Sequence, residues 1–262
     1  MYEHYTRLRF ERRGRILTLT MTNPPLNAVD RALHDELAQV FDDVAADPEC
    51  DVLVLTGEGR AFSAGGDFQG MLQAMQTPAG LARSVAHAPH LVRSVLSLDK
   101  PTIARVNGHA MGLGATLALL CDVVFAAEDA RIADSHVKVG LAAGDGGALI
   151  WPHLVGYARA RHHLLTGDAL TGAEAARIGL IHQAVPAADL DAAVFAYAER
   201  LAQGALQAIR ATKRAINMAL CAQAVAAADA HIGLELQTMS SEDHREAIAA
   251  ILEKRPPVFR GR

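Results

Sequence analysis

The sequence predicts an α/β protein built from stacked strand–strand–helix units around one core. Two short apolar runs, Val52 to Thr56 and Thr102 to Val106, have the continuous hydrophobicity of buried strands. Each run leads into a glycine-bearing turn and then into a segment of helical pattern. From about Gly146 onward the chain has a helical pattern. The strand–strand–helix rhythm recurs without visible sequence repetition, so it indicates a repeated geometry.

The N-terminal part predicts a hairpin followed by a helix. Leu8 to Glu11 and Ile16 to Met21 have strand composition, and the turn signal Arg12 to Arg15 joins them. Asp30 to Ala46 is expected to be helical, because apolar side chains recur along one face. These are Val29, Leu33, Leu37, Val40 and Val44.

The middle of the chain alternates between predicted helices and strands. Met71 to Leu98 is expected to form one or two helices with a break near Pro89, because proline interrupts a helix. Beyond the Thr102–Val106 strand, an apolar helix and two further strands are expected at Gly112–Leu120, Val123–Ala126 and Arg131–Ala133.

Helix signals dominate the C-terminal part. Thr171 with Glu174 is a capping-box pattern, and Gly179 is a plausible helix stop. Asp189 is positioned to cap the next helix. The later helices are expected at Leu190–Gln203, in the alanine-rich segment up to Met239, and from Ser240–Asp243 to about Pro256.

Composition narrows the class of protein and its partners. Hydrophobic residues make up 51% and charged residues 21% of the 262 positions, which is typical of a soluble chain with one core and a small appendage. The formal net charge is −4 and there is no long basic run. A nucleic-acid partner is therefore not expected.

The cysteines and the N-terminus indicate the compartment. Cys50, Cys121 and Cys221 are far apart, odd in number and without the spacing of metal ligands. Reduced thiols, a cytoplasmic location and no metal site are therefore expected. The polar start of the chain lacks an apolar signal core. No uninterrupted apolar run is long enough to span a bilayer, so no membrane partner is expected.

Two glycine-bearing stretches, Ala61 to Asp67 and Asn107 to Gly114, predict the chemistry. Turns of this kind expose backbone N–H groups, and the N-terminus of a following helix adds positive potential. If the two turns meet in space, their amides would hold one oxygen that gains negative charge. Such an oxyanion hole indicates chemistry on a thioester or a similar carbonyl.

These stretches, with others in the same order, resemble the crotonase superfamily, the relatives of enoyl-CoA hydratase and isomerase. The similarity covers nearly the whole chain. Order and spacing are specific for the family and much less so for one reaction. The matching segments are Asn23–Ala28, Ala61–Asp67, Asn107–Gly114, Leu165–Asp168, Ala175–Leu180 and Ser241–Phe259.

The resemblance implies the fold and the assembly. Residues 1–200 are expected to form a crotonase-like spiral of ββα turns that carries the CoA site. Residues 201–262 are expected to form a C-terminal helical region that serves as a lid or in trimerisation. A homotrimer or a dimer of trimers is the expected assembly. The expected partner is an acyl-CoA substrate, with coenzyme A as part of the substrate and no separate cofactor.

The resemblance also assigns roles to single residues. The oxyanion-hole donors correspond to the backbone amides of Gly66 and Leu113. Asp67 has a second interpretation, as the cap of a helix that begins at Phe68. The positions that correspond to CoA contacts are Leu26, Asn27, Ala28, Ala64, Gly66 and Asp67.

The acid and the base are where this chain departs from the hydratases, which use two glutamates. Those glutamates correspond here to Thr116 and His136. Threonine is not a base near neutral pH, whereas histidine is one. Asp145 lies nearby, one position after Gly144, where several relatives place a catalytic aspartate. The sequence leaves open whether Asp145 is a base or a helix cap, and whether His136 is a base or a hydrogen-bonded core histidine.

The prediction is an acyl-CoA-processing enzyme of the enoyl-CoA hydratase/isomerase type, a lyase or an isomerase, that stabilises a thioester enolate. Loss of both glutamates argues against efficient hydration, whereas isomerisation needs one base. Hydrolysis, decarboxylation or C–C cleavage of a CoA ester is an alternative on the same scaffold. Thr116 supports another alternative, a non-catalytic acyl-CoA binder. A serine peptidase using Ser63 and His136 is disfavoured, because no Gly-x-Ser-x-Gly elbow is present.

Overall fold

The computed structural model describes residues 1–262, which form two sheets surrounded by helices. The strands are β1 (Leu8–Arg13), β2 (Ile16–Met21), β3 (Val52–Gly57), β4 (Ala61–Ser63), β5 (Thr102–Val106), β6 (His109–Met111), β7 (Val123–Ala127), β8 (Arg131–Ala133), β9 (Leu170–Thr171) and β10 (Gln183–Val185).

The α-helices are α1 (Arg31–Ala46), α2 (Phe68–Ala74), α3 (Pro78–Val85), α4 (Ala88–Ser97), α5 (Leu113–Leu120), α6 (Gly147–Thr166), α7 (Gly172–Arg177), α8 (Leu190–Ala202), α9 (Leu206–Met239) and α10 (Glu242–Leu252). Two short 3₁₀ helices lie at His136–Val139 and Ala187–Asp189.

The larger sheet has the order β1-β2-β3-β5-β7-β10, and the smaller has the order β4-β6-β8-β9. Every neighbouring pair is parallel except the β1–β2 hairpin and the β8–β9 pair. Consecutive strands alternate between the sheets, since β3, β5 and β7 join the larger one and β4, β6 and β8 join the smaller one. Each pair of strands is followed by helical structure, so the chain climbs as a spiral of ββα turns. The predicted fold class is confirmed.

Most buried apolar side chains pack into one core of 53 residues, which spans the larger sheet and the helices against it. A second, smaller cluster consists of Val85, Leu141 and Met239. It lies apart from the main core and lines the cavity described below. The predicted division at residue 200 stays a prediction. Residues 203–205 separate α8 from α9 at that place.

The segment from Met71 to Leu98 differs from the prediction, because it contains three helices rather than one or two. The breaks lie at residues 75–77 and 86–87. The second break lies near Pro89, as predicted, and Pro89 itself occupies the first turn of α4, where its missing N–H has no intrahelical partner to lose. Thr77 caps α3 by accepting a hydrogen bond from the Gly80 amide.

Two short strands inside the glycine-bearing stretches were not predicted. β4 and β6 have three residues each and pair with one another. Their strand conformation depends on partners about fifty residues away in the chain, which local propensity does not reveal. The capping box of Thr171 and Glu174 is present as predicted.

The alanine-rich segment is one helix of 34 residues, α9. By length and composition alone it would pass for a membrane-crossing helix, with only 6% of its most apolar 18-residue window buried. The expectation of no membrane partner depends on the absence of an uninterrupted apolar run. Polar residues interrupt the apolar window of α9, so this helix qualifies that expectation. α9 also buries Lys213 and Glu235 against the rest of the protein.

Candidate active site

The candidate site lies where three neighbouring parallel strands end. β4, β6 and β8 are adjacent in the smaller sheet. Gly66 follows β4, Leu113 follows β6, and Asp134 and His136 follow β8. Because carboxyl ends of adjacent parallel strands lie at one edge, residues about seventy positions apart are brought together.

The two glycine-bearing turns touch each other through their backbones. Gly65 has φ of +82°, and a Cβ there would lie 2.6 Å from the carbonyl oxygen of Met111. A Cβ on Gly114 would lie 2.7 Å from the carbonyl oxygen of Ser63. Glycine at both positions therefore permits an approach that any side chain would prevent.

The residues that carry the predicted donors, Gly66 and Leu113, both line one cavity. Around Gly66, the bridge to Val29 uses the Gly65 carbonyl and the Asp67 amide, so the Gly66 N–H stays outside it. Leu113 is the first residue of α5, where a backbone amide has no intrahelical acceptor. Both amides are thus free to bind a ligand oxygen.

The cavity has a volume of about 360 Å³, within the range of small-molecule sites. Its walls come from the two turns, from α1 to α4, from the loop before α6 and from α9. Apolar and titratable groups share the lining. The lining residues include Gly66, Met71, Leu113, His136, Leu141, Asp145, Glu235 and Met239.

A buried chain of polar groups runs along one wall. His136 Nδ1 lies 2.7 Å from Asp134 Oδ1, and its Nε2 lies 3.2 Å from Asp145 Oδ2. The hydroxyl of Thr116 donates to Asp145 Oδ1 at 3.2 Å. All four residues are buried. The imidazole is therefore held between two carboxylates, and Asp145 is hydrogen-bonded at both oxygens.

The neighbouring charges shift the pKa values of His136 and Asp145 in opposite directions. Burial alone would lower the pKa of His136, but the charges of Asp145 and Asp134 outweigh burial and hold that pKa well above its ordinary value. Burial would raise the pKa of Asp145, but His136 and the hydrogen bond from Thr116 hold it below its ordinary value. At neutral pH these shifts favour an imidazolium at His136 and a carboxylate at Asp145. Both ring nitrogens of His136 face carboxylate oxygens, so neither is left free for a ligand proton.

Asp145 is not the N-cap residue of α6, although its carboxylate accepts a hydrogen bond from the backbone of Gly147 at the start of that helix. α6 begins at Gly147, and its N-cap is Gly146, which has φ of +124°. Residue 144 has no room for an acidic side chain. A Cβ there would lie 2.4 Å from the carbonyl oxygen of His231 on α9. The loop therefore accommodates its carboxylate one position later, at Asp145.

Asp134, His136 and Asp145 also meet the geometric criterion for a metal site, since their ligand atoms lie within 4.8 Å of one another. Hydrogen bonding from the imidazole to both carboxylates accounts for this closeness. Metal ligation requires a deprotonated imidazole nitrogen, which the high pKa of His136 opposes.

Of the six predicted CoA contacts, Gly66 and Asp67 line the cavity, and the other four lie in the adjoining turns. Asp67 also caps α2 by accepting from the Gln69 and Gly70 amides. The side chain of Asn27 is fully buried, and its amide donates to the carbonyls of residues 58, 61 and 62. Its role is therefore to shape the turn. The Leu26 carbonyl accepts from the Ala64 amide, which ties the two turns together.

Ser63 is not placed as a nucleophile. It is fully buried, donates to the Asn27 carbonyl and accepts from the Gly65 amide. These bonds occupy its hydroxyl in the turn, and its residue does not line the cavity. The peptidase alternative therefore has no support in the geometry.

Glu235, on α9, is a cavity residue that the sequence did not single out. Its residue is 6% exposed, and its Oε2 has no hydrogen-bond partner. Burial, followed by the nearby charge of Asp145, raises the pKa of Glu235 to about 8. One signal was available, because Glu235 shares a helix face with Ile232 and Met239, which pack around the small apolar cluster.

Comparison with known proteins decides the family. The family model described as enoyl-CoA hydratase/isomerase matches residues 11–262. The chain belongs to the enoyl-CoA hydratase/isomerase family. The resemblance to the crotonase superfamily is thereby confirmed.

Relatives within the family differ in the activity for which they are named. A probable enoyl-CoA hydratase from Rhodobacter capsulatus is 36% identical over 98% of this chain and 99% of its own. A 1,2-epoxyphenylacetyl-CoA isomerase from Escherichia coli is 35% identical over 94% of this chain and 95% of its own. The crystal structure of an enoyl-CoA hydratase/isomerase from Mycobacterium paratuberculosis has a TM-score of 0.90 and 34% identity, covering 95% of this chain and 99% of that one.

Proposed function

We propose that this member of the family shifts a proton on the acyl chain of a CoA thioester, with double-bond isomerisation as its reaction. One observation carries the proposal. Asp145, buried and ionised at neutral pH, lines the same cavity as the free amides of Gly66 and Leu113. By the family resemblance, Thr116 and His136 correspond to the hydratase glutamates, which argues against hydration of a simple enoyl-CoA.

In the proposed mechanism the thioester oxygen accepts hydrogen bonds from the Gly66 and Leu113 amides. These bonds strengthen as the oxygen becomes an enolate, and one such donor is worth about 3 kcal/mol in the transition state. The α-proton of the acyl group becomes more acidic in consequence. Asp145 then removes it, and the electrons of the C–H bond enter the enolate.

The buried chain supports Asp145 in this step. Before the transfer, two carboxylates share one imidazolium, and after it the neutral Asp145 leaves His136 paired with Asp134 at 2.7 Å. The cluster thus goes from one excess negative charge to none as the enolate acquires its charge. The total charge of the cluster and the bound acyl group is unchanged by the transfer, which avoids placing an additional buried charge.

Binding of the CoA part is inferred along the joined turns of Leu26, Asn27, Ala28 and Ala64, with Gly66 and Asp67 nearest to the thioester. The turn backbones there are close-packed, and Ala28 and Ala64 have small side chains, which lets a long ligand approach. No resident cofactor is required by this chemistry, since coenzyme A arrives with the substrate.

Assembly into a homotrimer or a dimer of trimers is supported by exposed apolar side chains of α9, of the end of α10 and of the C-terminal tail. They are 46% to 72% exposed and comprise Ile216, Met218, Val225, Leu234, Leu252, Val258 and Phe259. Apolar surface of this kind is typical of an interface.

The test of the base is Asp145→Asn, assayed by exchange of the α-protons of butyryl-CoA in D₂O, read by mass spectrometry. A loss of at least about a hundredfold in exchange rate is expected, the low end for a general base. Affinity for butyryl-CoA, measured by calorimetry, should change little. The exposed Asp129 offers a matched control, Asp129→Asn.

Two outcomes would contradict the proposal. Exchange at the full rate in Asp145→Asn would remove this residue from the mechanism. Tight binding of butyryl-CoA by the wild type, without exchange and without conversion of 3-enoyl-CoA or crotonyl-CoA, would instead identify a non-catalytic binder.

A further inference from the structure

Glu235 is a buried carboxyl with an unused oxygen that borders the candidate site. Its residue is 6% exposed, its Oε2 has no partner in the protein, and it lines the cavity with Asp145. An unpaired carboxylate in such a place would carry a large desolvation cost, so the neutral acid is the favoured form. An acid of this kind has a proton to donate and no protein acceptor for it.

The position of Glu235 beside the catalytic loop depends on a glycine. A Cβ on Gly144 would lie 2.8 Å from Glu235 Cβ and 2.9 Å from its Oε2. The absence of a side chain at residue 144 therefore lets α9 approach the backbone directly before Asp145. Two carboxyl groups, 90 positions apart in sequence, thus border one reaction space.

Their surroundings push the two carboxyl groups toward opposite protonation states. Asp145 is paired with His136 and Thr116, which lowers its pKa. For Glu235, burial and the charges of Asp145 and Asp134 raise the pKa to about 8, against an opposing effect of His136. The other charged or titratable groups lining the cavity are Asp30, Arg31, His34, Asp67 and Arg83. Pairs of titratable groups separated in this way identify an acid and a base.

We propose that Glu235 is the catalytic acid of this site, donating a proton to the acyl carbon remote from the one that Asp145 deprotonates. This inference rests on the proposed function and deepens it, because it replaces a single shuttling base by two groups. It also restores a pair of working carboxyls where Thr116 and His136 have replaced the hydratase glutamates.

The step is balanced for a 3-enoyl-CoA. Asp145 takes the proton from C2, the C2–H electrons form a dienolate, and the thioester oxygen gains the negative charge. The O–H bond of Glu235 then breaks and its proton forms a bond to C4. The dienolate electrons shift, which leaves the double bond between C2 and C3 and restores the carbonyl. The proton on Asp145 returns to Glu235 through water before the next cycle.

The test compares wild type with Glu235→Gln on two reactions of CoA thioesters. Glutamine is isosteric and neutral, as the folded protein requires, but it has no acidic proton. Isomerisation of trans-3-hexenoyl-CoA should lose at least about a hundredfold in kcat, with KM little changed. Exchange of the α-protons of butyryl-CoA should stay at the wild-type rate, since it needs only Asp145. The exposed Asp229 on the same helix supplies the control Asp229→Asn.

The pH profile adds a readout that a merely structural residue would not move. Because Glu235 must be protonated to act, kcat/KM for isomerisation should fall above about pH 8 in wild type. The residual activity of Glu235→Gln should lack this alkaline limb.

The outcomes separate the two proposals. A Glu235→Gln enzyme with wild-type kcat and an intact alkaline limb would overturn the acid role. A wild type that exchanges the α-proton but shifts no double bond across 3-enoyl-CoAs of four to ten carbons would overturn the acid role together with isomerisation as the reaction. Failure of α-proton exchange in wild type would overturn the proposed function itself, and with it the role of Glu235.

Discussion

The two ends of α9 each bury one titratable side chain, and the protein treats them in opposite ways. Lys213, near the start, is 7% exposed, with Nζ 2.8 Å from Asp122 Oδ2 and 2.8 Å from the carbonyl oxygen of Lys100. Glu235, near the end, is 6% exposed, and its Oε2 has no partner. A buried charge that is paired with an opposite charge stabilises the structure. A buried carboxyl without a partner favours its neutral form, and its proton is then available for transfer to a ligand.

The surroundings of each end support this distinction. Asp122, the partner of Lys213, also accepts from the backbone amide and the hydroxyl of Thr102 at 2.7 Å and 2.9 Å. No member of that network lines the candidate active site. Glu235 has no such network and faces the cavity that holds Asp145 and His136.

The largest expected effect in this comparison is on the pH dependence of stability through Glu235. Its pKa is raised from 4.5 to about 8 on folding, so the folded state binds the proton more tightly than the unfolded state. Stability from this group is complete below pH 4.5 and is lost as pH rises toward 8. Relative to Glu235→Gln, the free energy of unfolding of wild type should fall by about 1.4 kcal/mol per pH unit, or about 4 kcal/mol from pH 5 to pH 8.

Urea unfolding of both proteins at pH 5, 6, 7 and 8 measures this difference. Parallel pH dependences for wild type and Glu235→Gln would show that Glu235 ionises normally in the folded state, and the contrast between the two ends of α9 would then disappear.

Removing Lys213 should have the next largest effect. Lys213→Met should lower the free energy of unfolding by about 2 kcal/mol, because the substitution removes the charged hydrogen bond to Asp122 and leaves the carbonyl oxygen of Lys100 without this donor. The neighbouring Arg214 is exposed and supplies the control Arg214→Met. Exchange of the α-protons of butyryl-CoA per folded molecule should not change. A loss of stability no larger than that of the control would mean that the pair of Lys213 and Asp122 does not contribute to stability.

Thr116 should give the smallest effect and sharpens the picture at the paired carboxyl. Thr116→Val keeps the shape but removes the hydroxyl that donates to Asp145 Oδ1. A hydrogen bond to a charged group is worth about 1.5 kcal/mol, so the pKa of Asp145 should rise by about one unit. Asp145 acts when ionised, so the acidic limb of the α-exchange profile should move up by the same amount. The exposed Thr212 on α9 gives the control Thr212→Val, and an unmoved limb would argue against this hydrogen bond.

Several features were predictable because their causes lie close together in the chain. The capping box of Thr171 and Glu174 spans four residues, and the helical face of α1 repeats within one helix. The glycines of the two turns mark positive φ angles or close backbone approach, which few other residues tolerate. Their order and spacing were sufficient for the family. The sequence also indicates His136 and Asp145 as candidate catalytic residues, since imidazole and carboxylate are the groups that move protons near neutral pH.

Other features depend on residues that are distant in sequence and become neighbours on folding. The pairing of β4 with β6 made strands out of expected turns, and a second break at residues 75–77, where Thr77 caps α3, added a helix to the segment 71–98. Whether His136 is a base or a cation depends on Asp134 and Asp145 at its two nitrogens. Glu235 reaches the site only because α9 packs against Gly144. Burial and Coulomb energies arise from proximity in space, and no local pattern encodes which distant carboxyl will lack a partner.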